Sequence, residues 1–396
     1  LLFLLLTTSA AWCPAASSSI SCYSDSGNPV DWFIVYKLPK RSSLTGLSYM
    51  YQDSTTKGWK PGNYLINNTQ GAVGRTLTQV YKQRQAQNQE TAYVLYNDQS
   101  TKHSESNYGH TKGVILLDQK QGFWLVHSTP HFPLPANESY SWPDSGKRNG
   151  QSFLCVTYPY AQFNEIGLQL LYNNPHTYSH SVPEPFARDL PDLKKAVEPH
   201  RALPPGGKRK AGLRSVAGTN FNSFAKSKAF GKGNPRSFEM VLPTPTSFSF
   251  SPLEPQIPPG LSLPDRSQIG ASSLRVQTPY LYVDWLAGEF ASDLLVQSWP
   301  NSRGTLPSNC SGPHWVYNVD TIHLPGNPDF TSTVDHSKWC VTHPRGDGPS
   351  WVCVGDINRD RAEEFRGGGV VCVNDPAVWK SFSSLVLKFK DCSSRN

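Results

Sequence analysis

At 396 residues the chain can bury a substantial core, as one large domain or two of ordinary size. Charged residues make up 17% and aromatic residues 12%, a balance that argues against a helical bundle and for sheets. A net charge of +7 suits a polyanionic partner, nucleic acid or an anionic membrane, and 11 histidines add positive charge as pH falls through about 6.5.

The chain opens on Leu1-Leu2-Phe3-Leu4-Leu5-Leu6 and small residues through Ala16, which reads as a secretory signal peptide (1–16) truncated at its start. No later stretch approaches the ~20 apolar residues of a membrane span, so none is expected. Cysteines stand at 13, 22, 155, 310, 340, 353, 372 and 392. With Cys13 in the leader, seven remain, and an odd count predicts one unpaired thiol. Sequons at Asn67, Asn137 and Asn309 fit an oxidising, glycosylating route.

Residues 17–200 read as alternating strands and short helices, with strands expected over 31–36 and 91–96. The end of the polar stretch from Pro183 to Ala202, together with Pro204 and Pro205, predicts a linker. Lys208-Arg209-Lys210 with Arg214 reads as a solvated loop. A second half, 201–396, is interrupted by 233–279. That segment has no period of 2 or 3.6 and is expected to be disordered. Order resumes at Tyr280-Leu281-Tyr282-Val283-Asp284-Trp285-Leu286.

One pattern occurs twice. His110-Thr111-Lys112 leads into Gly113-Val114-Ile115-Leu116-Leu117, a polar turn, and Phe123-Trp124-Leu125-Val126 ending at His127-Ser128. His336-Ser337-Lys338 leads into Trp339-Cys340-Val341, a longer polar turn, and Trp351-Val352-Cys353-Val354 ending at Gly355-Asp356-Ile357-Asn358. Each copy reads as a His-x-Lys strand, a turn and a hydrophobic strand. Residues i and i+2 of a strand share a face, so each His projects with its Lys. Two copies brought together would set two histidines about one phosphodiester, one to attack phosphorus and one to protonate the departing oxygen. The lysines would hold the charge that spreads over the phosphoryl oxygens, so no metal and no cofactor is called for. The spacing His336-x3-Cys340-x2-His343 is a poor zinc site, since it offers three ligands in one short stretch rather than the usual four.

Several long stretches resemble the deoxyribonuclease II family. They include Pro29-Val30-Asp31-Trp32-Phe33, Tyr36-Lys37-Leu38-Pro39, Tyr96-Asn97-Asp98, Gly109-His110-Thr111-Lys112-Gly113, Asp335-His336-Ser337-Lys338-Trp339-Cys340 and Arg366-Gly367-Gly368-Gly369. The resemblance implies a mixed α/β fold with two pseudo-symmetric phospholipase D-like halves sharing one active site. It also implies an acid, metal-independent endonuclease of the lysosome or the secreted route, acting on double-stranded DNA without sequence preference and leaving 3′-phosphate and 5′-hydroxyl ends. Carried over, His110 and His336 become the catalytic pair and Lys112 and Lys338 their phosphate-binding partners. The resemblance further implies disulfides Cys22–Cys155, Cys310–Cys392 and Cys353–Cys372, with Cys340 unpaired. An Asp shortly after the Lys, usual in the phospholipase D motif, is missing from both copies. His127, Asn97 and Asn358 are the candidates left to orient the histidines. The 233–279 segment has no counterpart in the resemblance. A phosphodiesterase of non-nucleic substrates and an inactive DNA-binding relative stand as alternatives.

Overall fold

The computed structural model describes residues 19–56, 58–85, 89–100, 107–199, 201–231 and 280–392. The expected leader 1–16 and the 233–279 segment lie outside the described residues.

Two twisted sheets carry the fold. The first has eight strands in the order Thr177–Ser181, Ala92–Asn97, Lys112–Leu117, Gln121–His127, Gln151–Pro159, Trp32–Lys37, Tyr49–Asp53, Lys60–Pro61, all antiparallel. The second has nine strands. Its middle runs Asn220–Lys226, Gly368–Asn374, Trp351–Gly355, Trp339–Thr342, Leu294–Gln297, Val316–Ile322, and only the last two are parallel. The expected strands 31–36 and 91–96 are found one residue later, and both repeated motifs lead into antiparallel hairpins.

Period-2 alternation sorts the side chains into layers. Ile34, Tyr36, Val94, Ile115 and Trp124 face one way and meet Trp339, Val341, Val352, Val354 and Val371 of the second sheet in a shared core. Phe33, Val35, Leu95, Val114 and Leu116 face the other way, under the helix Ala72–Gln85. On the far side of the second sheet, Cys340, Cys353, Cys372 and Val370 pack against the helical segment Tyr282–Leu286. Central strands buried on both faces read as near-continuous apolar runs, which is why 113–117 and 351–354 show little alternation in sequence.

The disulfides are Cys22–Cys155, Cys310–Cys392 and Cys353–Cys372, and Cys340 is a buried free thiol. Asn67 and Asn137 are exposed, and Asn309 is half-buried. Among the described residues no helix is long and apolar enough to cross a membrane.

One expectation is corrected. The basic cluster is not a loop but the edge strand Lys208–Arg214, whose Ala211 and Leu213 point inward while Lys208, Lys210 and Arg214 stay in water. Charges on an edge strand discourage further strand pairing, which explains a charge run inside a sheet. Ahead of the expected linker, whose residues 201–204 form neither helix nor strand, stand two short helices, Glu184–Asp189 and Pro191–Ala196, begun by proline-bearing first turns and anchored by buried Phe186, Leu193 and Ala196.

Asp335 joins the sheets by hydrogen bonds rather than by apolar contact. Its carboxylate is fully buried and accepts from the Tyr36 hydroxyl, from Ser337 Oγ at 2.6 Å and from Ser337 N at 3.0 Å. Asp335→Ala would strand three buried donors and is expected to cost about 3 kcal/mol of unfolding free energy. Chemical denaturation measures this, and a loss under about 1 kcal/mol would show that the bridge carries little.

Candidate active site

The two His-x-Lys motifs sit at strand mouths rather than inside strands: ordered pairing begins at Lys112 in one and at Trp339 in the other. Both histidines are held there by backbone contacts that need glycine neighbours. His110 N–H donates to Gly367 O at 2.8 Å, and a side chain on Gly109 would collide with the Asn173 carbonyl. His336 N–H donates to Gly150 O at 2.9 Å, and a side chain on Gly150 would collide with the Asp335 carboxylate.

His110 is buried, and its Nδ1 lies 2.5 Å from Glu363 Oε1. Asn358 Nδ2 donates to the same oxygen at 3.1 Å, and Asn358 Oδ1 accepts from Trp299 N at 3.3 Å. The Trp299 ring stands edge-on to His336, with centroids 3.8 Å apart. A continuous set of contacts therefore runs from His110 through Glu363, Asn358 and Trp299 to His336. The two motifs meet in one place.

Lys112 Nζ donates to Asp98 Oδ1 at 2.5 Å, and Arg366 donates to Asp98 Oδ2 at 2.8 Å. Lys338 Nζ donates to His336 O at 2.6 Å, so this Lys folds back over its own motif. Asn149 Nδ2 donates to His336 Nε2 at 3.3 Å. Lys37 Nζ holds the loop that presents Asn149, through the carbonyls of Lys147 and Asn149.

The electrostatics set the two rings apart. Burial lowers the pKa of His110, and the Glu363 carboxylate beside it opposes that fall. His336 is pulled down to about 2 by burial and then by the cations Lys338, Lys112, His110 and Lys37. Burial, with Lys112 as the next cause, lowers Lys338 to about 8, so it is a cation at acid pH. Burial works to raise the Asp98 carboxyl, but Lys112, His110 and Arg366 outweigh it and hold the group ionised.

Of the three candidate orienting residues, Asn358 reaches the site through Glu363. Asn97 pairs across the strands with Lys112, and Lys112 acts on His127, but the Asn97 and His127 side chains make their hydrogen bonds elsewhere. Asn97 Nδ2 donates to Thr129 O and Phe132 O and braces the turn after the Gln121–His127 strand. His127 is fully buried, its ring stacked on Phe153 at 5.6 Å, and burial drives its pKa to about 3. His336 and His343 lie at opposite ends of the Trp339–Thr342 strand, with Cys340 facing the far core. Among the described residues no group of three or more potential ligands is placed to hold a metal ion.

Sequence reasoning missed Glu363, Asp98 and Asn149. Asp98 had a signal, since it closes the Tyr96-Asn97-Asp98 stretch. Glu363 had none, because its partner lies 253 positions away.

A sequence profile of the deoxyribonuclease II family matches residues 21–234 and 270–392. The chain belongs to this family. It is 42% identical over 400 residues to deoxyribonuclease-2-alpha of Rattus norvegicus, covering 98% of each chain. It is 36% identical to deoxyribonuclease-2-beta of Homo sapiens, covering 95% of this chain and 92% of that one. Plancitoxin-1 of Acanthaster planci is similar at 35% identity, with 99% and 98% covered. Family membership brings the phospholipase D-like fold with it, and the observed mixed α/β architecture agrees. The profile leaves 235–269 unmatched, inside the segment whose composition departs from the rest.

Proposed function

We propose that the chain is an acid endodeoxyribonuclease that hydrolyses the phosphodiester bonds of double-stranded DNA without a metal ion, in the lysosome or outside the cell. Its two halves, 17–200 and 201–396, would each supply one motif to a shared site. What supports this reading most is the meeting of the two motifs around Glu363, Asn358 and Trp299, with His336 under the charge of lysines from both.

The chemistry runs in two steps. Lys112 and Lys338 hold the non-bridging phosphoryl oxygens, where transition-state charge spreads. His110 donates Nδ1–H to Glu363, which leaves Nε2 unprotonated to attack phosphorus. The positive charge that develops on the ring is offset by the Glu363 carboxylate. His336 gives a proton to the leaving 5′ oxygen, releasing a 5′-hydroxyl and leaving a 3′-phosphoryl group on His110. His336, now neutral, takes a proton from water as the water attacks phosphorus, and a 3′-phosphate departs with His110 restored.

This division accounts for an acid enzyme. His336 can serve as acid only when it carries a proton, and the surrounding cations resist that. The bound phosphodiester anion offsets those cations, and low pH supplies the proton. Cleavage of supercoiled plasmid in excess chelator is expected to peak below neutrality and fall as pH rises through 7. An optimum above pH 7 with an absolute Mg²⁺ requirement would end the reading. Assaying phospholipid beside plasmid separates it from a phosphodiesterase of non-nucleic substrates. A chain that binds DNA without cutting at any pH is the inactive relative.

A further inference from the structure

Beneath the first motif, residues of both sheets enclose a cavity with room for about one water molecule, lined by Tyr96, Thr111, Asn173, Ser223 and Asp356 among others. Thr111 is the middle residue of the His110-Thr111-Lys112 motif. Asn173 Oδ1 is buried with no hydrogen-bond partner among the described residues, while the Thr111 hydroxyl lies against the Asp356 carboxyl. An orphaned polar atom such as Asn173 Oδ1 calls for a water or a proton-bearing neighbour. Asp356 is that neighbour. It is buried, its Oδ1 accepts from Gly369 N at 3.0 Å, and its own N–H reaches Gly369 O at 3.3 Å. Gly369 ends the turn whose Gly367 carbonyl receives the His110 backbone N–H. Asp356 thus supports the motif from two sides, through the glycine turn at His110 and through the cavity at Thr111.

We propose that Asp356 is a positioning residue for the His110-Thr111-Lys112 motif, holding it in place while it carries a proton and loosening it when that proton leaves. The proposal rests on reading His110 and Lys112 as catalytic. The protonated acid donates toward Asn173 Oδ1, directly or through one cavity water. The ionised acid keeps the Gly369 N–H and the Thr111 hydroxyl as donors but sets a carboxylate against the Asn173 carbonyl oxygen with no hydrogen between them, and that wall of the cavity must shift.

The charges around Asp356 are mixed. The Thr111 hydroxyl, the Gly369 N–H and Lys112 favour its ionised form and Asp98 opposes it, while Tyr96, Lys226 and Tyr282 also feel its charge. Burial dominates and raises the carboxyl to about 7, so the group titrates at the upper edge of an acid enzyme's working range. The stability consequence has a fixed sign. A carboxyl whose folded pKa lies above its unfolded value of about 3.9 adds stability below that value and loses it as pH rises to about 7.

Asp356→Asn keeps the shape of the protonated acid and cannot ionise. It is expected to cleave DNA within about threefold of the wild-type rate at pH 5. The alkaline midpoint of its pH profile is expected to rise by about one unit, or about tenfold in rate at pH 8. Its melting temperature is expected to fall less than that of the wild type between pH 5 and pH 8. A purely structural Asp356 would lower the rate at every pH and leave the midpoint where it was. An unmoved midpoint, an unchanged pH dependence of melting, or an Asp356→Asn protein that does not fold at pH 5 each overturns the proposal. His110→Ala is run in parallel. If it cleaves normally, the catalytic reading falls and this proposal with it. If it is inactive while the Asp356→Asn midpoint stays put, Asp356 alone has been misread.

Discussion

His110→Ala and His336→Ala are each expected to lower DNA cleavage by about a thousandfold or more, and the double change to cost little beyond either one. The reason is that attack and proton delivery act on one phosphorus in one step. Removing the attacking ring leaves the proton donor nothing to assist, and removing the donor leaves the 5′ oxygen a poor leaving group. Losses within such a unit do not add. DNA affinity at low salt is expected to stay within a fewfold, because the phosphate-binding term is carried mainly by Lys and Arg, which both variants keep. His323, half-exposed and 2.7 Å from Asp329, is the control: His323→Ala should cleave normally. Acid-quenched reactions should trap the phosphoryl group on residue 110. Near-normal cleavage by His336→Ala with a dead His110→Ala would replace the pair with a single-histidine scheme, and label on His336 would reverse the two roles.

The motifs are legible in the sequence because each His-x-Lys is followed by a buried hairpin, whose apolar runs frame it. The sequence misled about where the motifs sit. The alternation argument placed His and Lys within strands, whereas the structure ends each strand short of the His and aims the ring by backbone contacts to Gly367 and Gly150. In Lys208–Arg214 the charges suggest a loop, whereas the inward Ala211 and Leu213 seat it as an edge strand. Asn358 reaches His110 through Glu363, whereas the Asn97 side chain braces Thr129 and Phe132. Local sequence shows which residues are near one another along the chain. The residue that touches His110 belongs to the other sheet's connections and comes close only once the Gly367 turn has docked.

Glu363→Gln is the variant that isolates charge from shape at that contact. Burial works to raise the Glu363 pKa, but His110, Arg366 and the Asn358 amide outweigh it, so the carboxylate stays ionised below its ordinary range. Its contribution to stability is accordingly present above the unfolded value of about 4.3 and is lost only as pH falls through the lower, folded value. At the mildly acid pH where the enzyme works, Glu363 is therefore a full negative charge 2.5 Å from His110 Nδ1. Glutamine keeps a hydrogen-bond acceptor in place but removes the charge that offsets the ring as it attacks. The kcat for cleavage is expected to fall about a hundredfold, with KM changed by less than about threefold. Without the carboxylate, the His110 ring is harder to protonate, so the acid limb of the pH profile should move to lower pH. A residue that merely filled space would lower the rate alike at every pH and leave that limb unmoved. A Glu363→Gln protein with wild-type kcat, or with a reduced kcat and an acid limb still at the wild-type position, would remove Glu363 from the reaction and leave it as packing between the two motifs.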